Sequence, residues 1–291
     1  MAATVVDFHQ HLWPEQFVAA LARRKTAPRL NGSTLELVSE LASEVDLREH
    51  ELDARLVLLD RCEIDVAVVS LAPTLGIAEL PDDEADELLT AYEDGIAELA
   101  GGSKGRIVPL AARLGADGFS GLCLGAHELR DLQPLGPTLH ELEQSSRFLF
   151  VHPGAAHPPP GAPRWWAPVV DYTAQMQAAY ASWLAYGAER WPRLRVVFAI
   201  LAGGGPFQFE RLVSRGISGR EIRYENVFFE TASYARRALD LCLSTFGVEH
   251  LVFGSDAPVI DPEPMLTVVR GFGDAVTDAL CHVNPTRLLS G

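Results

Sequence analysis

Short apolar or β-branched runs recur along the chain, separated by longer stretches with helical spacing. They lie near 4–8 (TVVDF), 64–71 (IDVAVVSL), 106–110 (RIVPL), 119–124 (FSGLCL), 148–151 (FLFV), 195–201 (RVVFAIL), 226–230 (NVFFE) and 250–254 (HLVFG). Between them, Ala85, Leu88, Leu89, Tyr92, Ile96 and Leu99 make one stripe, which predicts a helix capped by Asp82 or Asp83 and stopped at Gly101-Gly102. The segment 170–190 has similar spacing, and 263–289 has it in two pieces. Strands without polar alternation, each followed by a helix, are parallel strands buried on both faces. Eight such units predict a single α/β domain over 1–291, a (β/α)8 TIM barrel rather than an open doubly wound sheet. The Pro-rich stretch 157–166 reads as a long loop after the fifth strand, because a helix and three strands still follow it.

In a barrel the reactive groups gather at the C-terminal ends of the strands. The first run ends in Asp7-Phe8-His9-Gln10-His11, which puts His9 and His11 on one strand face. The fifth run leads into His152 and the eighth into Asp256. Three imidazoles and one carboxylate, with one position left open, suit a catalytic divalent metal, zinc first and manganese, cobalt or iron as alternatives. His152 or Asp256 alone would more readily be a hydrogen-bonded structural group, while His-x-His at the end of the first strand is moderately specific by itself; their joint position at strand ends favours the metal. Asp7 shares the histidines' parity one layer deeper, where it can accept a hydrogen bond and orient a ligand or a neighbouring strand.

The motifs DFHQH, VHPG and FGSDAP, in this order, resemble the amidohydrolase superfamily, specifically its amidohydrolase-related branch. That branch includes aminocarboxymuconate semialdehyde decarboxylase and related non-oxidative decarboxylases and hydrolases. The resemblance covers nearly the whole chain, taking in 121–132, 201–212 and the terminal NPTRLL at 284–289. It implies that His9, His11, His152 and Asp256 bind one metal ion and that Asp256 also handles the proton of a metal-bound water. Two positions depart from the family pattern. The only lysines are Lys25 and Lys104, neither at the end of the fourth strand, so the bridging lysine of two-metal members is missing. Ala202 stands where many members place a histidine before the glycines, and His127 or His157 would have to stand in as acid or base.

Other residues near strand ends are pocket candidates. Trp13, Trp165 and Trp166 can wall a substrate pocket, and Arg113 and Arg164 can pair with a substrate carboxylate. Packing under loops and surface ion pairs are the plainer roles for these side chains. Gly203-Gly204-Gly205 precedes Pro206 rather than a Lys-Ser or Lys-Thr pair, so it is not read as a phosphate cradle. His50, His140, His250 and His282 fall in helices or at the N-terminal end of a strand, away from the expected site.

Composition narrows the function classes. A formal net charge of -15 disfavours nucleic acid and anionic membrane as partners and leaves a small-molecule substrate. Cys62, Cys123, Cys242 and Cys281 are scattered in apolar surroundings, as expected of free thiols in a reducing compartment. With no basic leader and no long apolar run, a cytoplasmic protein is expected, and a homodimer is the default for a soluble assembly. The favoured activity is metal-dependent hydrolysis, with metal-bound water attacking a carboxylated or cyclic organic substrate. The alternative is non-oxidative decarboxylation of an unsaturated or aromatic carboxylate. A second alternative is a metal-binding barrel that has lost catalysis at Ala202.

Overall fold

A computed structural model describes residues 4–219, 222 and 224–290 of the chain. Eleven strands occur among them: β1 (Val6–Gln10), β2 (Arg29–Asn31), β3 (Thr34–Glu36), β4 (Ser43–Glu44), β5 (Val66–Val69), β6 (Ile107–Pro109), β7 (Gly121–Gly125), β8 (Phe148–His152), β9 (Val196–Phe198), β10 (Val227–Glu230) and β11 (Leu251–Val252). Eight of them are the runs seen in the sequence. They pair in parallel as β1-β5-β6 and as β7-β8-β9-β10-β11.

Backbone hydrogen bonds join the two sheets at both edges. Ala111 N–H donates to Gly121 O and Ala111 O accepts from Cys123 N–H, both at 2.9 Å, linking the chain after β6 to β7. On the other side Phe8 N–H donates to Phe253 O at 2.8 Å, Asp256 N–H to His9 O at 2.8 Å and His11 N–H to Ala257 O at 2.7 Å. The last strand therefore meets the first, and the ring is the (β/α)8 barrel. These same bonds hold the backbone of His9, His11 and Asp256 side by side.

The helices α1 (Glu15–Arg23), α2 (Leu52–Cys62), α3 (Asp82–Gly102), α4 (Gly136–Gln144) and α5 (Tyr172–Ser182) follow successive barrel strands or their loops. In α3 the predicted cap is corrected: Pro81 occupies it, and Asp82, Asp83 and Glu84 form an acidic first turn facing the helix dipole. The helix also runs through both glycines to Gly102, and the chain reverses only where Lys104 and Gly105 take positive φ. The C-terminal segment forms helices over Pro262–Arg270, Asp274–Asp278 and Asn284–Leu289.

Two features differ from the sequence pattern. β2, β3 and β4 form an antiparallel sheet inserted between α1 and α2, with Arg29 facing Glu36 and Asn31 facing Thr34. The sixth run is a strand only over Val196–Phe198. After Ala199 the backbone turns left-handed through Ile200, Leu201, Ala202, Gly203 and Gly204, with φ of 45°, 51°, 52°, 63° and 90°. For three L-residues this is costly backbone, of the kind concentrated at functional sites. Among the described residues no helix is long and apolar enough to cross a membrane. All four cysteines are free and buried.

Candidate metal centre

β1 delivers His9 within the strand and His11 just beyond it, β8 ends on His152, and the chain leaving β11 delivers Asp256. One ligand atom from each of these residues lies within 4.8 Å of those from the other three. The three imidazole rings stand nearly perpendicular to one another, at 85–89°, with centroids 5.0–5.1 Å apart. All three histidines are buried, and Asp256 is the ligand with access to solvent, its side chain 19% exposed.

The hydrogen bonds assign the ring nitrogens. His9 Nδ1 lies 2.8 Å from Glu230 Oε2, His11 Nδ1 2.9 Å from Ser70 O, and His152 Nδ1 2.9 Å from Pro153 O. Carbonyl and carboxylate oxygens only accept, so each Nδ1 carries the proton and each Nε2 faces inward. There His9 Nε2 and His11 Nε2 are 3.2 Å apart, with Asp256 Oδ1 at 3.6 and 3.1 Å from them. Converging lone pairs beside a carboxylate repel one another unless a cation lies between them. A proton can fill that role: although burial opposes charge on His9, Glu230 and then Asp256 push its pKa up to about 9. For Asp256 burial works against ionisation, but the His11 hydrogen bond and the surrounding histidines hold its pKa below the usual value. A divalent ion fits the same donors, and this set has the nitrogen-rich character that such ions favour.

Glu230 was not among the residues picked out in the sequence. It ends β10 fully buried, and its Oε2 accepts from His9 and, at 3.2 Å, from Ile200 N–H, while Oε1 accepts from Ala232 N–H. A carboxylate closing the apolar run VFFE is the same signal that marks His152 and Asp256, so the sequence carried it. Asp7, also fully buried, accepts from His9 N–H, Gln10 Nε2, Ser255 N–H and Ser255 Oγ. Burial outweighs these bonds and raises its pKa to about 6. Gln10 passes the connection on by accepting at 2.6 Å from the buried Arg55, which also donates to His11 O at 3.0 Å. Gln10, Arg55 and Ser255 were likewise not anticipated, since nothing in their spacing sets them apart.

The remaining candidates scatter. Trp13 is buried and stacks on His50 at 4.6 Å and 6°, and its backbone N–H donates to His50 Nδ1 at 3.1 Å. His50 therefore packs beside the first strand's loop, a correction to its placement away from the site. Arg113 is engaged by Glu93, with Nε 2.6 Å from Oε2, and lines a cleft of about 200 Å³ with Cys123, Gly125 and Glu128. Arg164 is exposed and donates to Ala42 O. Trp165 is 56% exposed and tilts against Trp166. His157 is exposed between Ser39 and Glu79, at 3.2 and 3.0 Å. The His127 ring packs against the backbone of Gly125 and Gly154, where a Cβ on Gly154 would lie 2.2 Å from its Nδ1. The structure brings together the four residues expected to bind metal; neither arginine nor His157 is hydrogen-bonded to them.

The chain is 24% identical over 285 residues to a 2-amino-3-carboxymuconate-6-semialdehyde decarboxylase of Dictyostelium discoideum, covering 84% of this chain and 78% of that one. Among solved structures it is similar to the IDCase of Metarhizium anisopliae, with a TM-score of 0.83, 20% identity and coverage of 99% and 97%. The 5-carboxyvanillate decarboxylase LigW of Sphingomonas paucimobilis follows at 0.82, with 16% identity and 99% of each chain covered. A 5-carboxyvanillate decarboxylase of Novosphingobium aromaticivorans, solved with manganese and 4-hydroxy-3-methoxy-5-nitrobenzoic acid, matches at 0.76, with 14% identity over 100% of this chain and 97% of that one. These structural likenesses carry the fold. The Amidohydrolase family model matches residues 6–291, so the chain belongs to the amidohydrolase family and is an enzyme built around a metal site.

Proposed function

We propose that this protein is a metal-dependent non-oxidative decarboxylase acting on a small unsaturated or aromatic carboxylate. The observation that carries this reading is the similarity to a decarboxylase along 84% of the chain, beside the clustering of His9, His11, His152 and Asp256 in this fold. Hydrolysis, the activity favoured from the sequence, has no such relative behind it and gives way to its alternative.

His9, His11, His152 and Asp256 would hold one divalent ion, with zinc and manganese both suited to three nitrogens and a carboxylate. When bound, such an ion supplies electrophilic stabilisation of negative charge on substrate oxygens. The protein supplies the rest. Glu230, Ser70 O and Pro153 O fix the three rings so that little reorganisation is needed when substrate arrives. The carbon–carboxyl bond breaks, its electron pair stays on the conjugated carbon, carbon dioxide leaves and a proton takes its place. Arg113 lines a cleft with Gly125 and Glu128, and meeting a substrate carboxylate there would require it to leave Glu93.

The test is incubation of the metal-loaded protein with a panel of hydroxybenzoates and dienoic carboxylates, following release of carbon dioxide. Turnover should vanish on chelation and return with zinc or manganese. Hydrolysis of esters or lactones without release of carbon dioxide from any carboxylate would overturn the reading.

A further inference from the structure

The floor of the barrel, at the N-terminal ends of the strands, carries a second cleft that the metal centre does not use. Ser146 and Arg147 lead into β8, Arg193 and Arg195 into β9, and Asn226 into β10, three strands that lie side by side. Arg287 and Ser290 reach the same place from the closing helix, Asn284–Leu289. Together they wall a cleft of about 540 Å³. β8 begins at this cleft and ends on His152, five residues or about 16 Å later, so the cleft lies on the face opposite the metal centre.

Arg147, Arg193, Arg195 and Arg287 share this cleft in a chain of 24 basic and 39 acidic residues. Among the described residues Glu143 is the one carboxylate lining it, held by Arg193 through the backbone N–H at 3.0 Å and Nη2 at 3.4 Å. Arg147 and Arg287 meet carboxylates outside the wall, Glu141 at 3.2 Å and Glu225 at 3.3 Å, whose side chains are 47% and 86% exposed. Ion pairs so open to water contribute little. Arg195 is buried and, among the described residues, pairs with no carboxylate: Nη1 donates to Arg287 O at 2.9 Å and Nη2 to Ser146 O. Burial, and then the charge of Arg287, lowers its pKa. Arg147 Nε is likewise buried without a partner among the described residues. A guanidinium has five N–H donors, so both side chains keep unspent donors at the cleft. A buried cation held by carbonyls alone also lacks the counter-charge that burial calls for.

We propose that this cleft binds a doubly charged phosphoryl group, either free phosphate or the end of a small phosphate ester. Four arginines against Glu143 leave a surplus of three positive charges on the wall, which a dianion offsets and a lone carboxylate does not. The planar guanidinium fork matches phosphate oxygens two at a time, so one phosphoryl group engages several of these side chains together. Ser290 adds a hydroxyl donor. The cleft is larger than phosphate alone requires and falls in the size range of small-ligand sites, which leaves room for an ester. A bound anion ties the starts of β8 and β9 to the closing helix and relieves the repulsion between Arg195 and Arg287, so its binding stabilises the folded barrel. The site stands apart from the metal centre, and its existence does not depend on which reaction that centre performs.

The experiment measures melting temperature and calorimetric binding of the metal-loaded full-length protein with inorganic phosphate, ribose 5-phosphate and malonate, against sodium chloride at equal ionic strength. Phosphate should raise the melting temperature to a plateau that chloride does not reach. Arg193→Gln and Arg287→Gln, with partly exposed side chains, should keep the fold and the metal content while each weakens phosphate binding about tenfold or more. That loss separates this cleft from any phosphate held at the metal. Arg195→Gln should abolish binding, and the two milder variants decide the matter where this one fails to fold. Ribose 5-phosphate binding more tightly than phosphate supports the site as one for an ester, and weaker binding supports the free ion. The proposal is overturned by melting shifts no larger than those in chloride, by phosphate affinity unchanged in both milder variants, or by malonate binding as tightly as phosphate.

Discussion

Glu230 Oε2 lies 2.8 Å from His9 Nδ1 and 3.2 Å from Ile200 N–H, so one buried oxygen ties a metal-binding ring to the first residue of the left-handed turn. Replacing that carboxylate by an amide keeps the shape but removes the charge that makes His9 a strong donor. It also turns an NH2 group toward either Ala232 N–H or His9 Nδ1–H, both already donors. Glu230→Gln should weaken metal binding by about 10–100-fold, measured by competition with a chromophoric chelator. An affinity equal to that of wild type would show that ring orientation does not depend on this carboxylate.

Gly254 leaves room for the same side chain. A Cβ there would stand 2.2 Å from Glu230 Oε1 and 2.6 Å from its carboxyl carbon. Gly254→Ala should therefore destabilise the barrel by about 1–3 kcal/mol through overpacking and lower metal retention as Glu230 is pushed aside. The cause is checked by coupling. In a Glu230→Ala background the three nearest atoms that the added methyl would meet are gone, so the two losses should fall well short of adding. Additive losses in denaturant melts would place the strain elsewhere.

The barrel and the cluster of four candidate metal-binding residues were legible because both rest on short patterns. An uninterrupted apolar run marks a strand buried on two faces, and a histidine or aspartate breaking its C-terminal end marks the reactive rim. Glu230 obeys the same rule and was open to the same inference. The antiparallel excursion was signalled more faintly, by Asn31-Gly32 between two short runs, with Gly32 at positive φ. Arg113 shows the converse limit: an arginine after a strand suits carboxylate binding, yet Glu93 from α3 reaches it first.

Asp7 joins the first and last barrel strands, accepting from Ser255 N–H at 3.0 Å and Ser255 Oγ at 2.6 Å beside the ligand Asp256. Asp7→Asn keeps one acceptor oxygen and sets an NH2 against donors, leaving buried groups unpaired. The loss should be about 3 kcal/mol, read from urea unfolding, with release of metal at lower denaturant than in wild type. A loss below about 1 kcal/mol would mean that the strand closure is carried by its backbone hydrogen bonds alone.

His50 gives the stability a pH dependence that can be assigned a sign. It is buried, stacked on Trp13, and accepts the Trp13 N–H, a bond that needs its Nδ1 unprotonated. Burial, with Arg55 adding repulsion, lowers its pKa from 6.5 to about 3. Above pH 6.5 the ring is neutral in both the folded and the unfolded chain and contributes no slope. Between 6.5 and 3 the unfolded chain takes up a proton that the folded one refuses, so stability falls as the pH falls through this window. His50→Gln retains an acceptor for Trp13 but cannot titrate, so the mutant should lose less stability than wild type between pH 7 and 4. The comparison isolates His50, because the raised pKa of Asp7 acts in the opposite direction and is common to both proteins. Thermal melts of the two proteins across this range give the difference directly, and parallel curves would mean that His50 takes up its proton as readily in the folded chain as in the unfolded one.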